Sequence, residues 1–277
     1  MHDEAAGLTT SLTAGGSSIA VINGTFSIPD GTNVLLMSQN IEAYSAAELT
    51  MIYDWFNAKD ARLLWVAADS DYNGLFTPDA LNGILAKVGS QLRIGAESVN
   101  DPVSNDDAAY RVVANQPVSD GDRNAIFTEG VSKIIMHGPA PVVAVNDAGA
   151  TVNPEGLDDV EIIMKSSADA VASDSDVSDT QFDFYETNSV VGNYPMIAFE
   201  DMDDTHYVIV SGEAVFSDYK FMYSSVTENN GTQDGQKLVD NILSWFGGDG
   251  QKGGFLPVST LPIFLGIATI AIIKRKK

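Results

Sequence analysis

Asn33-Val34-Leu35-Leu36-Met37-Ser38 and Ala61-Arg62-Leu63-Leu64-Trp65-Val66-Ala67-Ala68 are the two runs whose reading decides the expected fold. Apolar residues stand side by side in each instead of alternating, the pattern of a strand covered on both faces. Between them Ser45 is placed as a helix N-cap, Glu48 completes a capping box, and Tyr44 with Leu49 makes a hydrophobic staple. Leu49, Ile52, Tyr53 and Phe56 then share one helical face. Strand, helix and strand at this spacing predict a right-handed parallel crossover. The expected fold class is therefore α/β, a doubly wound and mostly parallel sheet over residues 33–246.

Working outward, Thr77-Pro78-Asp79 opens a helix with the face Leu81, Ile84, Leu85 and Val88, closed by Gly89. Leu92-Arg93-Ile94 reads as the next strand. Further strands are expected at 110–113, 133–136, 142–145 and 160–164, with a short helix near 123–127. Residues 196–199 and 207–210 read as strands joined by a hairpin tip at Asp201, Asp203 and Asp204. Leu238, Val239, Ile242, Trp245 and Phe246 form the stripe of a last helix. Residues 1–32, rich in Gly, Ser, Thr and Ala, read as a linker or the remnant of a preceding domain.

The second buried strand runs into Asp69-Ser70-Asp71-Tyr72-Asn73-Gly74. Open α/β sheets bind ligands at the carboxyl ends of their strands, so Asp69, Ser70, Asp71 and Tyr72 are the expected ligand-facing residues. Asp69, Asp71 and Asn73 supply oxygens of the kind Ca2+ takes. The EF-hand pattern is not met, and the alternative is a solvated turn in which Ser and Asp satisfy the backbone. Ser70 with His137 or His206 and Asp203 makes a nucleophilic triad on paper, although no glycine precedes Ser70 to give a strained elbow. Asp174, Asp176 and Asp179, interleaved with Ser173, Ser175 and Ser178, raise the same cation question more weakly.

The net charge is −23 over 277 residues, and Lys274 to Lys277 carry four of the fifteen basic residues. Residues 158–219 hold fifteen acidic residues against Lys165 alone. Such a field repels phosphate, which excludes nucleic acid as a partner. The glycines near 147–156 and 247–254 lack the spacing and following lysine of a phosphate cradle, so no nucleotide is expected. With no cysteine, thiolate metal sites and cysteine nucleophiles are ruled out. His2, His137 and His206 are too scattered for a zinc site, and no cofactor beyond Ca2+ is expected.

Gly247-Gly248-Asp249-Gly250-Gln251-Lys252-Gly253-Gly254 reads as a flexible linker. Phe255 to Ile273 is uncharged for 19 residues and is followed by Lys-Arg-Lys-Lys. At about 1.5 Å per residue it reaches roughly 28 Å, which predicts a single membrane-spanning helix over 255–273 with 274–277 as a basic cytoplasmic tail. The expectation is then a cell-membrane protein with its bulk outside. The sequons at Asn23 and Asn230 agree with an exterior location. Met1-His2-Asp3-Glu4 carries no export signal, so the expectation is a longer precursor, with a tail-anchored protein facing the cytosol as the alternative.

Leu-Leu-Trp-Val-Ala-Ala-Asp-Ser-Asp at 63–71, Tyr-Val-Ile-Val-Ser-Gly-Glu-Ala-Val-Phe-Ser-Asp at 207–218 and Asn-Ile-Leu-Ser-Trp-Phe at 241–246 together resemble the class I glutamine-amidotransferase-like superfamily. The chain is similar to its non-catalytic branch, the GIFT-type domains of intraflagellar-transport, gliding-motility and archaeal surface proteins. The resemblance implies a flavodoxin-like or amidotransferase-like sheet without the chemistry, since the cysteine nucleophile is missing. Together these readings predict a membrane-anchored, non-enzymatic domain that binds a protein or glycan partner. The alternatives are a subunit of a membrane transport or motility complex and, behind it, a membrane-attached hydrolase.

Overall fold

Strand formation at the two apolar runs sends alternate side chains to opposite faces, and each face has its own core. The computed structural model describes residues 5–15, 17–23, 26–38, 43–72, 78–174, 181–250 and 269–274. In chain order, α1 (Ala6–Ala14) and β1 (Ser18–Asn23) lead to β2 (Thr32–Met37), α2 (Ala46–Phe56), β3 (Arg62–Ala67) and α3 (Asp79–Val88). Then come β4 (Leu92–Ile94), β5 (Ser98–Asn100), β6 (Arg111–Ala114), β7 (Gln116–Pro117), α4 (Asp122–Phe127), β8 (Ile134–His137), β9 (Val142–Val145), β10 (Thr151–Val152), β11 (Val160–Lys165) and β12 (Val171–Ser173). The last described elements are β13 (Pro195–Asp201), β14 (His206–Ser211), α5 (Gly235–Trp245) and β15 (Thr269–Lys274).

The central sheet has eight strands in the order β1-β15-β2-β3-β14-β13-β11-β7. Along β3, Leu63, Trp65 and Ala67 join one core with Leu8 and Leu12 of α1, Phe127 of α4 and Leu238, Val239 and Ile242 of α5. Leu64 and Val66 join the other with Ile52 and Phe56 of α2 and Leu81, Ile84 and Leu85 of α3. Helices thus cover both faces, which is why β3 is buried at every position. The stretch 1–32, read as a linker, contributes α1 and β1.

Local signals act as their chemistry dictates. Ser45 Oγ accepts from the Glu48 backbone N–H, and the Ser45 N–H donates to Glu48 Oε2 at 2.8 Å, closing the capping box of α2. Gly89, at φ 86°, ends α3.

The expectation of a doubly wound, mostly parallel sheet is overturned. Among the described residues four strand pairings are parallel, β1/β15, β15/β2, β2/β3 and β3/β14, whereas seven are antiparallel. The antiparallel half of the central sheet is β14, β13, β11 and β7, and three small antiparallel sheets lie beside it. The physical reason is that a strand buried on both faces reads as a continuous apolar run whichever way it points. Direction is fixed by connection length, and the four-residue tip between β13 and β14 admits only an antiparallel pair.

The expected membrane helix over 255–273 is overturned as well. Among the described residues no helix is long and apolar enough to cross a membrane. Thr269–Lys274 is β15, paired in parallel with β1 on one side and β2 on the other, with Ile272 fully buried. A short apolar run reads alike as part of a membrane helix and as an interior strand. Residues 251–268 and 275–277 lie outside the described residues. The anchored, cell-surface location depended on that helix and is withdrawn with it.

Candidate functional site

Because β2, β3 and β14 run parallel, they end on one edge, where residues 68–72 and 212–226 emerge. The backbone after β3 is sewn between two neighbours. Asp69 bridges Pro139, the Ser70 N–H donates to the Gly138 carbonyl at 3.3 Å, and the Asp71 N–H donates to the Ala96 carbonyl at 3.4 Å. Gly138 sits at φ +71°, and a Cβ there would stand 2.9 Å from Asp69 Oδ1, so the close approach requires glycine.

Of the expected ligand-facing residues, Ser70 and Asp71 are buried, Asp69 is partly buried and Tyr72 is 54% exposed. Burial pushes the Asp69 carboxyl up to about 7, against the hydrogen bonds from Ser70 that pull it down. Asn73 and residues 175–180 lie outside the described residues, so the Ca2+ sets of Asp69, Asp71 and Asn73 and of Asp174, Asp176 and Asp179 are only partly placed. Among the described residues no group of three or more His, Asp or Glu side chains is arranged to hold a metal ion.

The paper triad does not assemble. Ser70 Oγ accepts from Ser98 Oγ at 2.7 Å inside the protein. His206 lies at the other end of the sheet: it pairs with Arg62, five residues before the Ala67 and Ser211 pair, or roughly 16 Å at about 3.3 Å per residue. There its Nδ1 is 2.8 Å from Asp203 and its Nε2 is 2.9 Å from the Ala58 carbonyl.

His137 is on the ligand edge, but its ring belongs to an aromatic cluster. Tyr110 and Tyr219 flank it edge-on at centroid distances of 5.2 and 5.3 Å. Burial, then Lys220 and Arg111, hold its pKa below the usual histidine range. Lys220 Nζ lies 2.9 Å and Arg111 3.6 Å from the Glu228 carboxylate. Tyr110, Tyr219 and Phe221 are 44%, 41% and 48% exposed, which leaves large rings facing water on one loop system.

That loop is held in a costly shape. Lys220 and Phe221 are consecutive left-handed residues, φ 49° and 62°, and bulky residues occupy that region only when their surroundings impose it. The constraint is the buried Gln233, whose Nε2 donates to the carbonyls of Phe221, Met222 and Ser224 at 2.8, 3.2 and 2.7 Å. Thr227 Oγ1 donates to Asp106 Oδ1 at 2.8 Å, and the Asn229 N–H donates to Asp106 Oδ2, which straps the loop to residues 101–110.

A second group sits behind the edge. Glu97 is fully buried, and its Oε1 accepts from the backbone N–H of Tyr185 at 2.5 Å and of Glu186 at 3.0 Å. Glu97 Oε2 and Asp183 Oδ1 are sealed from solvent and receive no donor among the described residues, and the neighbouring Asp183 carboxylate favours a protonated Glu97. Burial, then the hydrogen bond with Asp183, push Glu97 up to about 8.

Sequence reasoning named His137 but missed its partners Tyr110 and Tyr219, and it missed the Glu97 and Asp183 pair. The one local signal was the aromatic-rich run Tyr219-Lys220-Phe221-Met222-Tyr223.

No protein-family model and no curated protein matches the chain. Among solved structures it is similar to one described as "mmIFT52 N-terminal domain", at 12% identity over 88% of this chain and 82% of that one, with a TM-score of 0.48. A likeness of that degree transfers neither fold nor function.

Proposed function

We propose that this chain is a non-catalytic binding domain that docks a protein partner on the edge formed by the loops after β3 and β14. The observation that carries the reading is the solvent-facing aromatic group Tyr110, Tyr219 and Phe221, held on a strained loop by Gln233. An exposed Phe in a left-handed conformation costs the free protein stability, of order 1–3 kcal/mol, and gains it no core. Pre-organised Tyr, Phe and Arg side chains are what interface centres are made of, since rigid rings bury much area with little loss of entropy. The buried Ser70 hydroxyl, engaged with Ser98, supports a non-catalytic role for the neighbouring turn.

Photo-crosslinking tests this. With p-benzoylphenylalanine in place of Phe221, irradiation in the producing cells gives a discrete protein adduct. The same group in place of Asp60, exposed beyond the opposite end of β3, gives none. Equal adducts from both positions, or none from Phe221, would remove the reading.

A further inference from the structure

The docking edge carries an unusual charge for this chain. Against a net −23, Arg111 and Lys220 converge there beside His137, and Glu228 is the carboxylate they share. Lys220 is well placed on it at 2.9 Å, but Arg111 is not. The Arg111 fork reaches Glu228 only at 3.6 Å and the Asp106 carbonyl at 3.4 Å, and its Nε is buried without a hydrogen-bond partner. Glu228 Oε2, the oxygen turned to Arg111, likewise accepts no hydrogen bond. By contrast Arg123 of α4 is closed by two carboxylates, Glu161 and Asp201.

Guanidinium groups favour a carboxylate held by two parallel N–H bonds, and among the described residues Arg111 has no such acceptor. Its side chain is 22% exposed and its guanidinium carbon lies 5.7 Å from the centre of the Tyr110 ring, which places the group beside one of the exposed rings. A basic partner drawn in by the overall charge would meet Arg111 and Lys220 at contact. Charges farther away than about 10 Å are largely screened at physiological salt, so the local pair decides.

We propose that the partner inserts a carboxylate against Arg111, with an adjacent aromatic or apolar side chain seated on Tyr219 and Phe221. This rests on the docking reading and names its chemistry. Glu228 keeps Lys220, the incoming carboxylate completes Arg111, and the negative charge arriving beside His137 favours its protonated form.

The test uses the full chain and two small probes, N-acetyltyrosine as its carboxylate and N-acetyltyrosinamide, followed by the His137 ring resonances, with His206 as the internal control. The carboxylate is expected to shift His137 saturably and raise its pKa, and to bind about tenfold more tightly than the amide. Arg111→Gln abolishes the preference, Arg111→Lys restores part of it, and Tyr219→Ala weakens both probes. Equal binding of acid and amide at His137 would overturn the carboxylate assignment while leaving the docking edge intact. No saturable shift with either probe would overturn it too, and the crosslink at position 221 then decides the broader reading separately.

Discussion

Replacing Glu97 by Gln isolates one buried ionisation. The Glu97 carboxyl sits at about 8 in the folded chain against 4.5 in an unfolded one, so between those values the folded state binds the extra proton. Its contribution is therefore fully present below pH 4.5 and is lost as pH rises to about 8, beyond which the loss is complete. At about 1.4 kcal/mol per unit, the interval corresponds to ~5 kcal/mol at most, and relaxation of the loop that follows Asp183 reduces this to roughly 2–5 kcal/mol. Gln keeps an oxygen for the Tyr185 and Glu186 N–H groups and offers a permanent donor to Asp183, which mimics the protonated acid. In urea unfolding followed by tryptophan fluorescence, the two proteins should match within about 1 kcal/mol at pH 5. At pH 8 the variant should be the more stable by the figure above. Acidic residues elsewhere repel one another in both proteins and cancel in the difference. A gap between the two that is the same at pH 5 and pH 8 would refute a protonated Glu97 in the folded chain.

Gln233→Leu removes two N–H donors shared among three carbonyls and should cost ~2 kcal/mol, at about 1 kcal/mol per N–H, with hydrogen exchange accelerated at residues 217–226. An unchanged exchange pattern there would contradict the clamp. Gly212→Ala puts a Cβ 1.7 Å from the Ala140 carbonyl oxygen, and it should abolish soluble expression, whereas Gly31→Ala, with open space around it, should lose only ~1 kcal/mol through its φ of +78°. Ser45→Ala opens the capping box and should lower stability by about 1 kcal/mol, read as a shift in the urea midpoint.

Much of the local structure was legible because it rests on contacts close in sequence. Ser45 and Glu48 are three residues apart, Gly89 follows its helix directly, and the stripe from Leu238 to Phe246 repeats with the helical period. Strand direction was legible where the connection is local, in the crossover from β2 to β3 and in the hairpin from β13 to β14, and not where strands distant in sequence pair, as β11 does with β13 and β7. The run Thr269 to Ile273 satisfied the hydropathy of a membrane helix, and only its partners in β1 and β2 distinguish it. At the site, Asp69 to Tyr72 announced a strand end, but which of them reaches solvent depends on residues 96–98 and 138–140, far along the chain. The aromatic cluster brings Tyr110, His137 and Tyr219 together, and no short pattern records it.

The central claim, that the edge at Tyr110, Tyr219 and Phe221 is a protein-docking face, is tested most directly by calorimetry. The protein crosslinked from position 221 is titrated into the full chain and into Phe221→Asp. The account predicts saturable binding that weakens at least tenfold in the variant while the unfolding free energy stays within about 1 kcal/mol of the parent. Equal affinity for both proteins would contradict it.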